Sequence, residues 1–190
     1  MAKIQWLASY PKSGNTWVRL FLEAYLLGRV NINNLVTTCG DSNIHYYQPN
    51  SCVPYDQLEL YDYGAVRLAA LHNMVRQNRK TFFCVKTHSI DANLVDIPLI
   101  PRGYSDKSVY IVRDPRDVAV SWAKHLGQSI DKTITGMITE GFGCPSVAED
   151  KTLQTLYGSW GQNVRSWGLF PVALVVRYED LLNDPEKWFG

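Results

Sequence analysis

No stretch of about 18 uncharged apolar residues occurs in this 190-residue chain, so no helix is expected to span a bilayer. An excess of either charge is missing too: 19 basic against 18 acidic residues leave a net charge of +1. Such a chain has no global field to recruit nucleic acid or an anionic membrane, and any basic site must be local. Cysteine is scarce and unpatterned. Cys39, Cys52, Cys84 and Cys144 form no CxxC pair and no Cys/His metal spacing, so reduced thiols in a cytoplasmic setting are expected. The opening Met1–Leu7 is too short before Pro11-Lys12 to act as a signal peptide. No repeat or low-complexity tract is visible. At about 150 residues per domain, residues 1–190 are expected to form a single domain. A hydrophobic share of 46% with 19% charged residues supplies an ordinary globular core.

What is present is an alternation of short apolar runs with helix-period segments. Ile4–Ser9, Thr81–Lys86, Ser108–Val112 and Val172–Val176 are nearly continuously apolar, as buried strands of a parallel sheet are. After Asn15-Thr16, the residues Val18, Phe21, Leu22, Tyr25 and Leu26 recur at helical spacing, and Gly28 supplies a stop. Ala65–Val75 predicts a second helix. Asp114 as N-cap with Pro115 at the first helical position opens a third. Leu153, Leu156, Tyr157, Trp160, Val164 and Trp167 make a fourth stripe, and Pro185 opens a fifth helix. This pattern predicts an α/β fold with a central, mainly parallel sheet flanked by helices. Arg29–Tyr63 and Gly127–Asp150 break the pattern and read as long irregular connections.

In an open α/β sheet, ligands bind beyond the carboxyl ends of the strands. The first strand is followed by Tyr10-Pro11-Lys12-Ser13-Gly14-Asn15-Thr16-Trp17 and the second by Lys86-Thr87-His88. The third is followed by Arg113 and the fourth by Arg177-Tyr178-Glu179-Asp180. Cations, a histidine and a glycine loop entering a helix would meet at one edge, a composition suited to a polyanionic nucleotide. The loop is not a Walker A motif, because Lys12 precedes Gly14. Alternatives stand beside each residue: a helix cap with a solvated lysine, a strand-end histidine bonded to backbone, an Arg113–Asp117 pair, a core Trp17. His45, His72 and His125 lack such context and are assigned structural roles. Tyr46, Tyr47, Tyr55, Tyr61 and Tyr63 are candidates for an acceptor wall.

Tyr10–Trp17 resembles the 5′-phosphosulfate loop of sulfotransferases that use 3′-phosphoadenosine-5′-phosphosulfate (PAPS). Val109–Ser121 resembles their 3′-phosphate segment, and Val85-Lys86-Thr87-His88 their catalytic strand end. Gly158-Ser159-Trp160 and Arg177–Leu181 are similar as well, so the resemblance runs from about Ile4 to Pro185. It implies a P-loop nucleotide-kinase-like fold. It also implies sulfuryl transfer to a small-molecule alcohol, phenol or amine, with no metal, nucleic acid or membrane partner.

The resemblance further implies that Lys12 contacts the bridging oxygen of the donor, while Ser13, Gly14, Asn15 and Thr16 hold its 5′-phosphate. Trp17 and Tyr178 would flank the adenine, and Arg113 and Ser121 would hold the 3′-phosphate. Lys86 would stabilise the transferred group, and His88 would take the acceptor proton. Asn15 stands where threonine is more usual, and Ser89-Ile90 where many members have Leu-Pro. The family's Arg-Lys-Gly segment lies outside this chain, so a C-terminal truncation is expected. Two other functions stay open: a non-catalytic PAPS-binding module and a nucleotide-kinase-like phosphotransferase.

Overall fold

A computed structural model describes residues 3–54, 57–78, 82–144 and 154–189. Strands β1 (Gln5–Ser9), β2 (Thr38–Gly40), β3 (Cys84–Thr87), β6 (Ser108–Val112) and β9 (Ala173–Arg177) form one sheet in the order β2-β3-β1-β6-β9. Every pairing in it is parallel, with Trp6 opposite Val85 and Leu7 opposite both Lys86 and Val109. Two small antiparallel pairs stand apart: β4 (Asn93–Leu94) with β5 (Ile97–Pro98), and β7 (Gly143–Cys144) with β8 (Thr155–Leu156).

Alternation along the strands divides the core. Trp6, Ala8, Val85 and Tyr110 pack with Ala70, Leu71, Met74 and Val75 of helix α2 (Leu60–Gln77) and Trp167 of α5 (Trp160–Gly168). Leu7, Cys84, Ile111 and Val176 point to the opposite face. There they meet Val18 of α1 (Asn15–Leu27) and Leu181 of α6 (Tyr178–Asn183), with Trp188 and Phe189 of α7 (Pro185–Phe189) packed alongside. A third cluster joins Tyr10 to Val118, Ala119 and Trp122 of α3 (Pro115–Leu126) and Met137 of α4 (Ile130–Ile138). The predicted α/β architecture with a central parallel sheet is therefore present.

Several boundaries differ from the sequence expectation. The second strand begins at Cys84, and Thr81 lies outside the described residues. The fourth strand is shifted by one residue, to Ala173–Arg177. The stripe from Leu156 to Trp167 is not one helix. Leu156 belongs to β8, Gly158 takes φ +65°, and α5 starts only at Trp160 behind a Ser159/Gln162 capping box. Leu153 falls outside the described residues. Gly127–Asp150 is not irregular throughout, since α4 lies within it, capped by the Ser129 side chain. Ile130, Ile134, Met137 and Ile138 do recur at helical spacing, a signal within the segment taken as irregular, although in the fold the three isoleucines are exposed (Ile138 71%) and Thr133 and Met137 are the buried face. Arg29–Tyr63 hides β2, whose three residues are too few for a period.

β2 is tied to α1 by Glu23. Its buried carboxylate accepts the Val36 N–H (3.1 Å), the Thr37 N–H (2.9 Å) and the Thr37 hydroxyl (2.7 Å). Burial pushes this carboxyl up, but the Thr37 and Val36 hydrogen bonds and nearby Arg19 outweigh it and hold it below the ordinary carboxylate range. A depressed folded-state pKa contributes stability above the unfolded value that is lost as pH falls through the folded one. Glu23→Gln is therefore expected to cost about 1–3 kcal/mol at pH 7. The gap to the parent protein should start to narrow as pH falls below the ordinary glutamate value of about 4.3, and close only once the depressed folded-state carboxylate is itself protonated. Urea unfolding of both proteins across pH checks this.

Candidate functional site

Parallel pairing brings the carboxyl ends of β1, β3, β6 and β9 to one edge, and a cavity of about 520 Å³ opens there. Lys12, Gly14, Asn15, Thr16, Trp17 and Leu20 line it from the β1–α1 side. His88 enters from beyond β3, Arg113 from beyond β6, Ser121 and His125 from α3, and Tyr178 from the start of α6. Among the described residues, no carboxylate lines this space.

The loop between β1 and α1 is built for close approach. Lys12 sits at φ +63°, a left-handed conformation that costs a side-chain-bearing residue roughly 1–2 kcal/mol. Strain of this kind concentrates at functional sites. Gly14 sits at φ +100°, and a methyl group there would overlap the Tyr178 ring, so glycine is required twice over. The Asn15 amide donates to Leu7 O (3.0 Å) and Ser9 Oγ (3.3 Å), pinning the first turn of α1 to β1. Ser13 Oγ, Asn15 Oδ1 and Arg113 Nε are buried and have no hydrogen-bond partner among the described residues. Buried polar groups are normally paired, so three orphans at one edge mark it as a place where a polar ligand would complete the bonding.

Arg113 ties the edge together. One of its nitrogens donates to Lys12 O (3.0 Å), and its guanidinium stacks over the Tyr178 ring, 4.4 Å from the centroid. Its approach to Asp117 is long, at 3.9 Å. Trp17 meets Tyr178 edge-on, with centroids 5.9 Å apart.

His88 Nδ1 lies 2.7 Å from the Ser9 carbonyl oxygen. A carbonyl only accepts, so Nδ1 carries the proton and Nε2 of the neutral ring keeps its lone pair. Burial lowers the His88 pKa well below the usual value. Lys86, Arg19 and Lys12 add to this, against the hydrogen bond to Ser9. Lys86 is half-buried on the α1 side of β3, with the same outward register as Cys84. Desolvation lowers its pKa, Asp41 opposes that and Arg19 adds to it.

Of the residues chosen from sequence, Lys12, Gly14, Asn15, Thr16, Trp17, His88, Arg113, Ser121 and Tyr178 meet in the cavity. Ser13, within the loop, is buried, Lys86 is half-buried, and neither lines the cavity wall. His125 corrects an expectation: it was assigned a structural role, yet it lies on this wall. Its signal was its position one helical turn beyond Ser121. His72 is structural as expected, 2.9 Å from the Tyr104 hydroxyl. Tyr47 and Tyr63 are core residues beside Arg67, Tyr46 packs partly buried against the core, and Tyr61 is exposed. Tyr55 lies outside the described residues. Among the described residues, no group of three or more His, Cys, Asp or Glu side chains is placed to hold a metal, and no disulfide is formed. No described helix is long and apolar enough to cross a membrane.

The geometry agrees with three comparisons. Residues 4–189 match the model of the sulfotransferase domain, and the chain belongs to that family. Human sulfotransferase 1E1 is 29% identical over 189 residues, covering 95% of this chain and 54% of that protein. The chain thus spans about half the length of the curated relatives it matches. Its fold is shared with mouse sulfotransferase SULT7A1 complexed with PAP (TM-score 0.56, 19% identity, 98% of this chain and 55% of that one). It is shared as well with retinol dehydratase in a complex with retinol and PAP (TM-score 0.57, 18% identity, 98% and 57%).

His88 is expected to stay neutral, as the Nδ1–H tautomer, throughout pH 6–8. Between its low folded-state pKa and the unfolded value of about 6.5, only the unfolded chain binds the proton, so stability falls as pH drops through that window. Nitrogen-15 NMR of the imidazole reads tautomer and titration directly. A ring that titrates near 6.5 would contradict the assignment.

Proposed function

We propose that this chain transfers a sulfuryl group from PAPS to the hydroxyl or amine of a small-molecule acceptor. The observation that carries the reading is one cavity lined by nine of the residues chosen from sequence, with the basic side chains of Lys12 and Arg113 and, among the described residues, no carboxylate. The orphaned Ser13 hydroxyl and Arg113 Nε–H are donors that fit a phosphate-bearing ligand. The reading treats residues 1–190 as one sulfotransferase-like domain, supported by the continuous sheet. It includes a cytoplasmic setting, which suits cysteines that form no disulfide among the described residues.

PAPS supplies a sulfuryl group on a phosphate leaving group. Such transfer resembles phosphoryl transfer, where catalysis is largely positioning and electrostatic stabilisation. The α1 N-terminus with Ser13, Gly14, Asn15 and Thr16 holds the 5′-phosphate. Trp17 and Tyr178 flank the adenine. Arg113 and Ser121 take the 3′-phosphate, and His125 is close enough along α3 to add to them. Lys12 neutralises charge that grows on the leaving oxygen, and Lys86 lends a buried cation to the transferred group. His88 Nε2 takes the acceptor proton as the acceptor–sulfur bond forms and the sulfur–oxygen bond to the 5′-phosphate breaks. The products are sulfated acceptor and adenosine 3′,5′-bisphosphate.

The direct test is incubation with labelled PAPS and a panel of alcohols, phenols and amines, following labelled product and adenosine 3′,5′-bisphosphate. Turnover supports the reading. Tight nucleotide binding with no turnover on any acceptor would mark a binding module instead, and Mg²⁺-dependent ATP turnover a phosphotransferase.

Two variants sharpen the roles. Arg113→Ala and Ser121→Ala should weaken adenosine 3′,5′-bisphosphate far more than adenosine 5′-phosphate in calorimetry, since only the former carries the group they hold. Equal losses would move the 3′-phosphate elsewhere. His88→Asn should keep nucleotide affinity and lose about 10²–10⁴ of the rate. In the parent protein the acid limb of the rate should fall below the ordinary histidine range, because burial, with the surrounding cations adding to it, holds the imidazole neutral to lower pH.

A further inference from the structure

One buried ion pair lies outside the cavity and plays no part in the chemistry above. Asp41, just after β2, and Arg67, in α2, meet at 2.7 Å, and each side chain is 1% exposed. A buried ion pair is weak as a source of stability, because desolvation offsets much of the attraction and apolar residues of similar volume often do as well. It sits beside the main apolar core with the buried Thr87 and Ser89 hydroxyls at hand. The pair therefore calls for a role in specifying geometry.

Its contacts indicate which geometry. The Asp41 N–H donates to Lys86 O (3.0 Å). Asp41 Oδ2 accepts from the Thr87 hydroxyl at 2.5 Å and from the Ser89 hydroxyl at 3.4 Å. Thr87 Oγ1 in turn accepts the Ser89 N–H at 3.0 Å. Asp41 thus holds the residues on both sides of His88 and leaves His88 itself to the cavity. Arg67 is braced by donating to Leu99 O (3.1 Å) and to the Tyr47 hydroxyl (3.0 Å), and that hydroxyl donates to Asp41 O. β3 ends at Thr87, so the backbone at 88–89 has no strand neighbour and must find side-chain partners. Asn163 donates to His88 O (3.3 Å) and Trp167 to Ser89 O (3.0 Å), which closes the cage.

We propose that the Asp41–Arg67 pair is a positioning device for the candidate base: through Thr87 it sets the turn that aims His88 Nε2 into the cavity. The inference rests on the sulfotransfer reading for the meaning of that aim, but the clamp itself is measurable without turnover. The charged and titratable groups that face His88 are Lys86 on β3, Lys12 in the β1–α1 loop and Arg19 on α1, with the Tyr157 ring edge-on at 6.5 Å. A loosened turn admits water to the ring and weakens its bond to Ser9 O.

Asp41→Asn strands the Arg67 charge in the core and risks unfolding, so the decisive variants are Thr87→Val and Thr87→Ser. Val keeps the shape and removes the hydroxyl, whereas Ser keeps the hydroxyl. Thr87→Val is expected to lower kcat ten- to about a hundredfold, the scale of a misplacement near 1 Å. Its affinity for adenosine 3′,5′-bisphosphate should stay within about twofold, since no donor contact is assigned to this turn. The acid limb should move up toward the ordinary histidine value, and nitrogen-15 NMR should show His88 as mixed tautomers. Thr87→Ser should restore all of these. A residue that only stabilises the fold would scale the rate without moving the acid limb or the tautomer. A Thr87→Val protein with the parent's tautomer and acid limb overturns the proposal. If the parent transfers no sulfuryl group, the functional reading fails, and the NMR comparison still decides whether the clamp exists.

Discussion

Parallel pairing about β1 is the constraint on which the rest depends. A strand flanked in parallel by β3 on one side and β6 on the other must end where they end. Each of these strands is then followed by a residue freed from the ladder at the same edge: the Lys12 loop, His88 and Arg113. β9, parallel to β6, adds Tyr178 there. Antiparallel pairing would scatter these side chains between two edges. The separation of the core into an α1 face and an α2 face follows from the same strands, because alternate residues must each find cover.

The electrostatics of the edge follow from what has been kept away. Lys12 and Arg113 line the cavity without an acidic neighbour in its wall, and Arg19 and Lys86 lie close behind. Their combined field favours anions and adds to the burial that already disfavours an imidazolium at His88, so one arrangement suits a phosphate-bearing ligand and a neutral His88. The buried acids serve structure instead. Glu23 binds the edge strand to α1, and Asp41 grips the turn around His88. Both carboxylates are buried, and both act through hydrogen bonds to backbone or hydroxyl groups.

Much of this was legible in the residues. Apolar runs located β1, β3, β6 and β9 to within a few residues, and Gly28 and Asp114-Pro115 marked helix ends that the structure shares. Nine candidate residues found along the chain meet in one cavity. The misses have two causes. β2 is three residues long and Leu156 left its helical stripe for a short pairing with Cys144's strand, so in both the deciding partner lies in another segment and local periodicity does not register it. Asp41 escaped for the same reason, since it matters through Thr87, 46 positions away. α4 and His125 carried local signals instead, the isoleucine spacing and the position one turn beyond Ser121.

The amino-acid sequence by itself determined the alternation of strand and helix, the strained glycine loop and the identity of the residues that follow each strand. Those depend on chain-local physics: side-chain periodicity, the freedom of glycine, the caps that helices require. Only the tertiary structure decided which of these residues share a cavity. It also decided which nitrogen of His88 is free to accept a proton, and that Asp41 and Arg67 stand behind it. Those outcomes depend on burial and on hydrogen bonds between segments far apart in the chain. Neither exists until the sheet has formed and water has left the space between its strands and helices.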